Sequence, residues 1–148
     1  MTEINIMSHG VDAPQFDLGR LTAWVEAVAA AHGRRVGRLS YLFCDDEYIL
    51  ATNRQFLQHD YYTDIITFDY STSRRISGDM VISLDTVKSN AEQGGVGECD
   101  ELCRVVIHGV LHLCGINDKG PGEREIMEQH EDAALAIRPE GLLSQQNA

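Results

Sequence analysis

The sequence predicts an α+β fold: a small mixed four-stranded β-sheet packed with about five helices. Three observations carry this. β-rich runs and helical periodicities succeed one another as strand, helix, strand, helix, strand, strand, then helices. The last two β-rich runs are separated only by the polar STSRRIS, which favours a hairpin or adjacent strands. The chain has 148 residues, 43% hydrophobic and 24% charged, enough to bury a core. No internal repeat or linker divides it, so residues 1–148 are read as one domain whose tail frays after about Arg138.

Each element has its own signal. Residues 3 to 8, EINIMS, alternate weakly and give a short opening strand. Leu18, Leu21, Trp24, Val25, Val28 and Ala29 recur at helical spacing, with Asp17 as N-cap and Gly33 as stop. GRLSYLFC, residues 37 to 44, is a strand. DDEYILATNRQFLQ opens on acidic residues that suit a helix N-terminus and reads as a second helix. TDIITFDY and GDMVISL are the paired strands. A polar helix starts near Asp85 and ends in QGGVG, an apolar helix runs from Cys99 to Leu113 and stops at Gly115, and EREIMEQHEDAALAI is a final amphipathic helix.

Charge and cysteine usage narrow the class. The formal net charge of −11 makes the chain a poor electrostatic partner for polyanions, unless its few cations cluster. Arg34, Arg35 and Arg38 form one group and Arg74 and Arg75 another; each alone reads as solvated turn residues. No apolar run approaches the ~20 residues that span a bilayer, and MTEINIMSHG lacks the regions of a signal peptide, so a cytoplasmic location is expected. The four cysteines then read as reduced thiols. Cys99 and Cys103 have a spacing at the loose end of zinc patterns but no second pair, which favours a structural role.

The stretch HGVLHLCGINDKGPGE, residues 108 to 123, carries the chemistry. On a helix, His108 and His112 lie about 40° apart around the axis and project from one face. Gly115 can turn the chain back and bring Asn117 or Asp118 towards them, and the anionic Asp118 is the better ligand. Two histidines and a carboxylate with an open fourth position are a catalytic zinc arrangement. Gly109 occupies the slot where H-E-x-x-H proteases carry their general base, which disfavours that mechanism.

HGVLHLCG with its polar turn resembles the YbeY family of bacterial endoribonucleases. Asn53-Arg54-Gln55-Phe56 followed by Asp60 and Thr63-Asp64-Ile65-Ile66-Thr67-Phe68 resembles the family's N-x-x-[FY]…T-[DN]-V-[LI]-[ST]-F block, and Gly78-Asp79-Met80-Val81-Ile82-Ser83 its G-D-I-x-I-S strand. The resemblance implies a metal-dependent hydrolase of single-stranded RNA, acting in 16S rRNA 3′-end maturation and ribosome quality control, with RNA and the ribosomal subunit as partners. It implies one Zn2+ per chain, with nickel or manganese as alternatives. The family's third histidine is Asp118 here, and the arginine it carries after the aromatic is Leu57. The metal ligands expected are therefore His108, His112 and Asp118, with Arg104, one turn before His108, or Arg54 stabilising phosphate charge. Thr63, Asp64 and Asp79 are expected to shape the strand edge, and no residue stands out as general base. Two alternatives stay open: a metal-dependent amidohydrolase or protease, and a non-catalytic ribosome-associated zinc protein whose site Cys99, Cys103 or His130 closes.

Overall fold

The computed structural model describes residues 2–57 and 63–143, so Asp60 of the second motif lies outside the described residues. Four strands, β1 (Glu3–Ser8), β2 (Arg35–Cys44), β3 (Ile65–Asp69) and β4 (Arg75–Ser83), form one sheet in the order β1-β2-β4-β3. β1, β2 and β4 run parallel, and β3 closes the edge antiparallel to β4, so the sheet is mixed and the expected hairpin is formed. Among the described residues five α-helices accompany it: α1 (Leu18–Ala31), α2 (Asp46–Thr52), α3 (Leu84–Gly94), α4 (Glu98–Leu113) and α5 (Glu123–Ala136).

Local chemistry sets the helix starts. The side chains of Asp17, Asp45 and Ser83 each accept a hydrogen bond from a backbone N–H in the first turn of α1, α2 and α3. Glu98, Asp100 and Glu101 place negative charge at the first turn of α4, where the helix dipole favours it. One face of the sheet, with Leu39, Tyr41, Phe43, Ile76, Met80 and Ile82, packs against the fully buried stripe of α4 and against α1. The Trp24 indole N–H donates to the Ala134 carbonyl at 2.9 Å and joins α1 to α5 through the core. The opposite face is partly covered by α2, through a smaller cluster of Cys44, Ile49, Ile66 and Val81.

Two expectations are corrected. The segment DDEYILATNRQFLQ is not one α-helix: after Thr52 the hydrogen bonding widens into a π-helical turn over Asn53–Leu57. A single π turn shifts the face on which later side chains emerge and is common beside functional sites. Here it buries Asn53 and leaves Phe56 exposed. The tail after Arg138 does not fray at once. Leu142 is buried against the core, its carbonyl accepts from the Asp17 N–H at 2.8 Å, and Leu143 bridges Phe16. The apolar Leu142 and Leu143 find a surface beside α1 that composition alone does not reveal.

Candidate metal centre

α4 holds the two histidines, and the sheet dictates how close it can come. Position 109 faces the strands: an ideal Cβ there would fall 2.6 Å from Met80 Sδ and 3.0 Å from Ile65 Cδ1. The glycine in H-G-x-x-H is thus a packing contact, and no general base fits at that position. The peptide-cleaving alternative loses its usual base for a steric reason.

The end of α4 is built to reverse the chain. Gly115 has φ of 98°, its N–H donates to the His112 carbonyl at 3.0 Å, and the Ile116 N–H reaches the Leu111 carbonyl at 3.1 Å. This paired closure satisfies helix carbonyls and needs a left-handed residue at that point. The following turn is fixed when the Gly120 N–H donates to Glu123 Oε1 at 2.7 Å. Asp118, between the two, is carried back to α4, with its Oδ2 3.3 Å from His108 Nε2.

His108, His112 and Asp118 line one cavity of about 220 Å³, walled also by Asn53, Leu57 and residues Thr63 to Thr67 of the sheet edge. A second cavity, of about 600 Å³ and bordered by Glu101, Arg104, Arg124 and Glu131, shares Asp64, His108 and Asp118 with the first. The two therefore meet at the His108–Asp118 pair.

The other ring nitrogen of His108 is also held. Nδ1 lies 2.6 Å from Glu131 Oε2, and Glu131 in turn accepts from Arg104 Nη1 at 2.8 Å. Arg104 Nη2 is bound to Asp132 at 3.2 Å. Burial opposes a charge on His108, yet the hydrogen bond and charge of Glu131, with Asp118 and Asp64 behind it, hold its pKa above the usual histidine range. Burial pushes the Asp64 carboxyl up, against the opposite pull of His108. Burial also raises Glu101, with Asp64 adding to the effect.

The donor chemistry suits a divalent metal. Two ligands of one tetrahedral ion bound at about 2.0–2.1 Å stand about 3.3 Å apart, the spacing of His108 Nε2 and Asp118 Oδ2. A carboxylate on the far nitrogen of a ligating histidine is the usual partner that fixes its tautomer, and Glu131 occupies that place. Among the described residues, however, no three His, Cys, Asp or Glu side chains converge on one point as they stand. The His112 side chain lines the cavity without a hydrogen bond or ion pair among the described residues.

The remaining expected residues are distributed differently. Arg104 reaches the larger cavity, but two of its nitrogens are committed to Glu131 and Asp132. Arg54 is exposed on the π turn and does not line either cavity. Lys119, next to Asp118, does line the smaller one. Asp64 faces both cavities, whereas Asp79 lies on the opposite face of the sheet with Tyr70 and Met7. The groups considered for closing the site are elsewhere: Cys99 is exposed, Cys103 is buried, and His130 packs edge-on to His32 at 5.0 Å. None of the three lines either cavity.

Sequence reasoning missed Glu131 and Lys119. Glu131 had a signal: it sits with Met127 and Ala134 at i+4 and i+7 spacing on the buried stripe of α5, where an unpaired glutamate would not be tolerated.

Comparison with known proteins agrees with the fold and the motifs. Residues 8–137 match the family described as Endoribonuclease YbeY. The Endoribonuclease YbeY of Bacteroides thetaiotaomicron is 59% identical over 91% of this chain and 98% of its own length. That of Phocaeicola vulgatus is 60% identical over 90% and 97%, and that of Porphyromonas gingivalis 47% over 98% and 96%. The solution structure of TM1509 from Thermotoga maritima superposes with a TM-score of 0.62 at 24% identity, over 89% of this chain and 86% of that one, and shares the fold. The chain belongs to the endoribonuclease YbeY family.

Proposed function

We propose that this chain is a metal-dependent endoribonuclease that hydrolyses phosphodiester bonds of single-stranded RNA, and that it serves 16S rRNA 3′-end maturation and ribosome quality control. The observation that supports it best is the shared cavity of His108, His112 and Asp118, with the His108 ring oriented by Glu131, in a chain of this family. His108, His112 and Asp118 would hold one divalent ion, Zn2+ first among the candidates by its preference for nitrogen donors with a carboxylate.

When bound, the ion lowers the pKa of a water towards ~7 and polarises a phosphoryl oxygen. The protein's own groups do the rest. Glu131 keeps the Nδ1 proton on His108, so that Nε2 presents its lone pair to the cavity. Arg104 acts through Glu131 and is a positioning residue in this reading. Asp64, which lines both cavities, would accept a proton from an attacking water in this reading. Lys119, which lines the smaller one, would stabilise charge building on the phosphate, a role expected of Arg104 or Arg54. RNA would enter along the edge formed by residues 63 to 67, beside Leu57 of the π turn, which also lines the cavity.

Metal analysis combined with RNA cleavage tests this reading. Wild type is expected to bind one equivalent and cleave, while His112→Ala and Asp118→Ala lose both. Full metal content in either variant would remove that residue from the site. Robust cleavage by metal-free protein would remove the mechanism.

A further inference from the structure

The two arginine groups that read separately as solvated turns are one surface. β2 and β4 are neighbouring parallel strands, and their register sets Arg35 directly opposite Arg75. The Arg35 N–H donates to the Arg74 carbonyl at 2.8 Å, and Arg34 Nη1 donates to the Thr72 carbonyl at 3.2 Å. Four guanidinium groups, of Arg34, Arg35, Arg74 and Arg75, are gathered at one end of the sheet, around two adjoining cavities of about 290 and 530 Å³.

This gathering is held in place and uncompensated. Gly37 leaves room for the Arg75 stem to cross β2: an ideal Cβ there would lie 2.8 Å from Arg75 Cδ. Like charges directly opposite on adjacent strands are destabilising, and no ion pair relieves these four among the described residues. By contrast Arg20, Arg38, Arg104, Arg124 and Arg138 each have a carboxylate partner. Glu26 borders the smaller cavity, where it accepts from Thr2 Oγ1. In a chain of net charge −11, a third of its 12 basic residues thus stand together without a carboxylate partner among the described residues.

The patch lies near the turn that follows the candidate metal centre. Arg34 Nη2 lies 3.7 Å from the ideal Cβ position of Gly115. Gly115 is less than one helical turn past His112, about 5 Å along the axis, and opens the loop that carries Asp118. From Thr67 on the cavity wall to Thr72 beneath Arg34 is about 16 Å of near-extended chain.

We propose that Arg34, Arg35, Arg74 and Arg75 form a phosphate-binding exosite that holds the backbone of the RNA beyond the cleavage point. The proposal rests on the RNA-cleaving function above and extends it. The exosite answers the electrostatic difficulty of an acidic nuclease: attraction is local, at one end of the sheet, and independent of the overall charge. Stacked nucleotides at about 3.4 Å per phosphate would put about five between cavity and patch. Short RNA should therefore reach the cavity without engaging the arginines.

Binding of a labelled single-stranded RNA of about 20 nucleotides, measured by anisotropy in EDTA against salt concentration, tests the exosite without cleavage. Each phosphate contact contributes about 0.7 to the slope of log affinity against log salt. Replacing all four arginines with glutamine is expected to flatten the slope by about 2 to 3, and replacing them with lysine to leave it nearly unchanged. Should the glutamine quadruple variant fail to fold, Arg35→Gln and Arg75→Gln singly should each flatten it by about 0.7. An unchanged slope in folded glutamine variants overturns the proposal, and would point instead to an anionic protein surface or to no ligand. In cleavage assays the variants should raise KM for the long RNA and leave kcat, and the KM of a trinucleotide-length substrate, unchanged. Absence of cleavage by every protein with the slope difference intact would sink the catalytic reading alone. Cleavage with an unchanged slope would sink the exosite alone.

Discussion

Glu131 Oε2 stands 2.6 Å from His108 Nδ1, joining α5 to α4, the helix of the candidate metal centre, across a sequence separation of 23 residues. The carboxylate is buried, and Arg104 holds its second oxygen. One relationship therefore fixes the orientation of a histidine whose other nitrogen already faces Asp118.

Removing that carboxylate should weaken metal binding before it weakens the fold. Partners on the far nitrogen of a ligating histidine are typically worth 10–100-fold in affinity. Glu131→Gln is expected to lower metal affinity by about 10-fold and Glu131→Ala by more, read by competition with a chromophoric chelator. Affinity equal to wild type in a folded Glu131→Ala protein would show that the contact does not orient His108.

The glycine after the first histidine is expected to be intolerant. Gly109→Glu, which writes the protease motif into the chain, would push a carboxylate against Met80 and Ile65 in the core. Overpacking together with a buried charge should cost about 3 kcal/mol or more, measured by urea denaturation, with no gain of peptidase activity. A variant as stable as wild type would mean α4 does not pack against the sheet as described.

His32 should make the protein less stable in mild acid. Burial lowers its pKa, helped by His130 and Arg34. The unfolded chain then binds the proton more tightly than the folded one. Stability from this group is fully present above its ordinary value of about 6.5 and declines as pH falls through the lowered folded value. Melting temperatures between pH 7.5 and 5 should fall less in His32→Gln than in wild type. Parallel curves would contradict the burial of this ring.

Thiol labelling should single out one cysteine. Cys99 is exposed, whereas Cys44, Cys103 and Cys114 are buried. Burial pushes Cys44 up to about 12 and Cys114 up to about 11, so neither is thiolate near neutrality. Native protein should react rapidly with one equivalent of Ellman's reagent, and Cys99→Ser with none. Rapid reaction of a second thiol would show that the core opens around it.

Elements with a strong local signature were legible in the sequence. The apolar period of α4, the caps at Asp17 and Gly115, and the alternation of β2, β3 and β4 each act within a few residues. The approach of Asp118 to His108 was legible for the same reason, since one turn after Gly115 carries the chain back to α4. What the sequence hid depends on distant register. Glu131 reaches His108 only because α5 packs along α4, and the arginines of β2 and β4 become one surface only when the strands are paired. The π turn was hidden as well: nothing in the composition of Asn53–Leu57 distinguishes the wider hydrogen bonding from an ordinary helix.

The pairing of Phe16 with Leu143 has a consequence for how the domain comes apart. The Asp17 N–H at the start of α1 donates to the Leu142 carbonyl, and Leu142 is buried beside it. The C-terminal segment is thus a brace on the first helix, while β1 stays paired with β2. A protease that trims residues after Arg138 would remove that brace, and the next cuts should fall around Phe16 and not in the sheet.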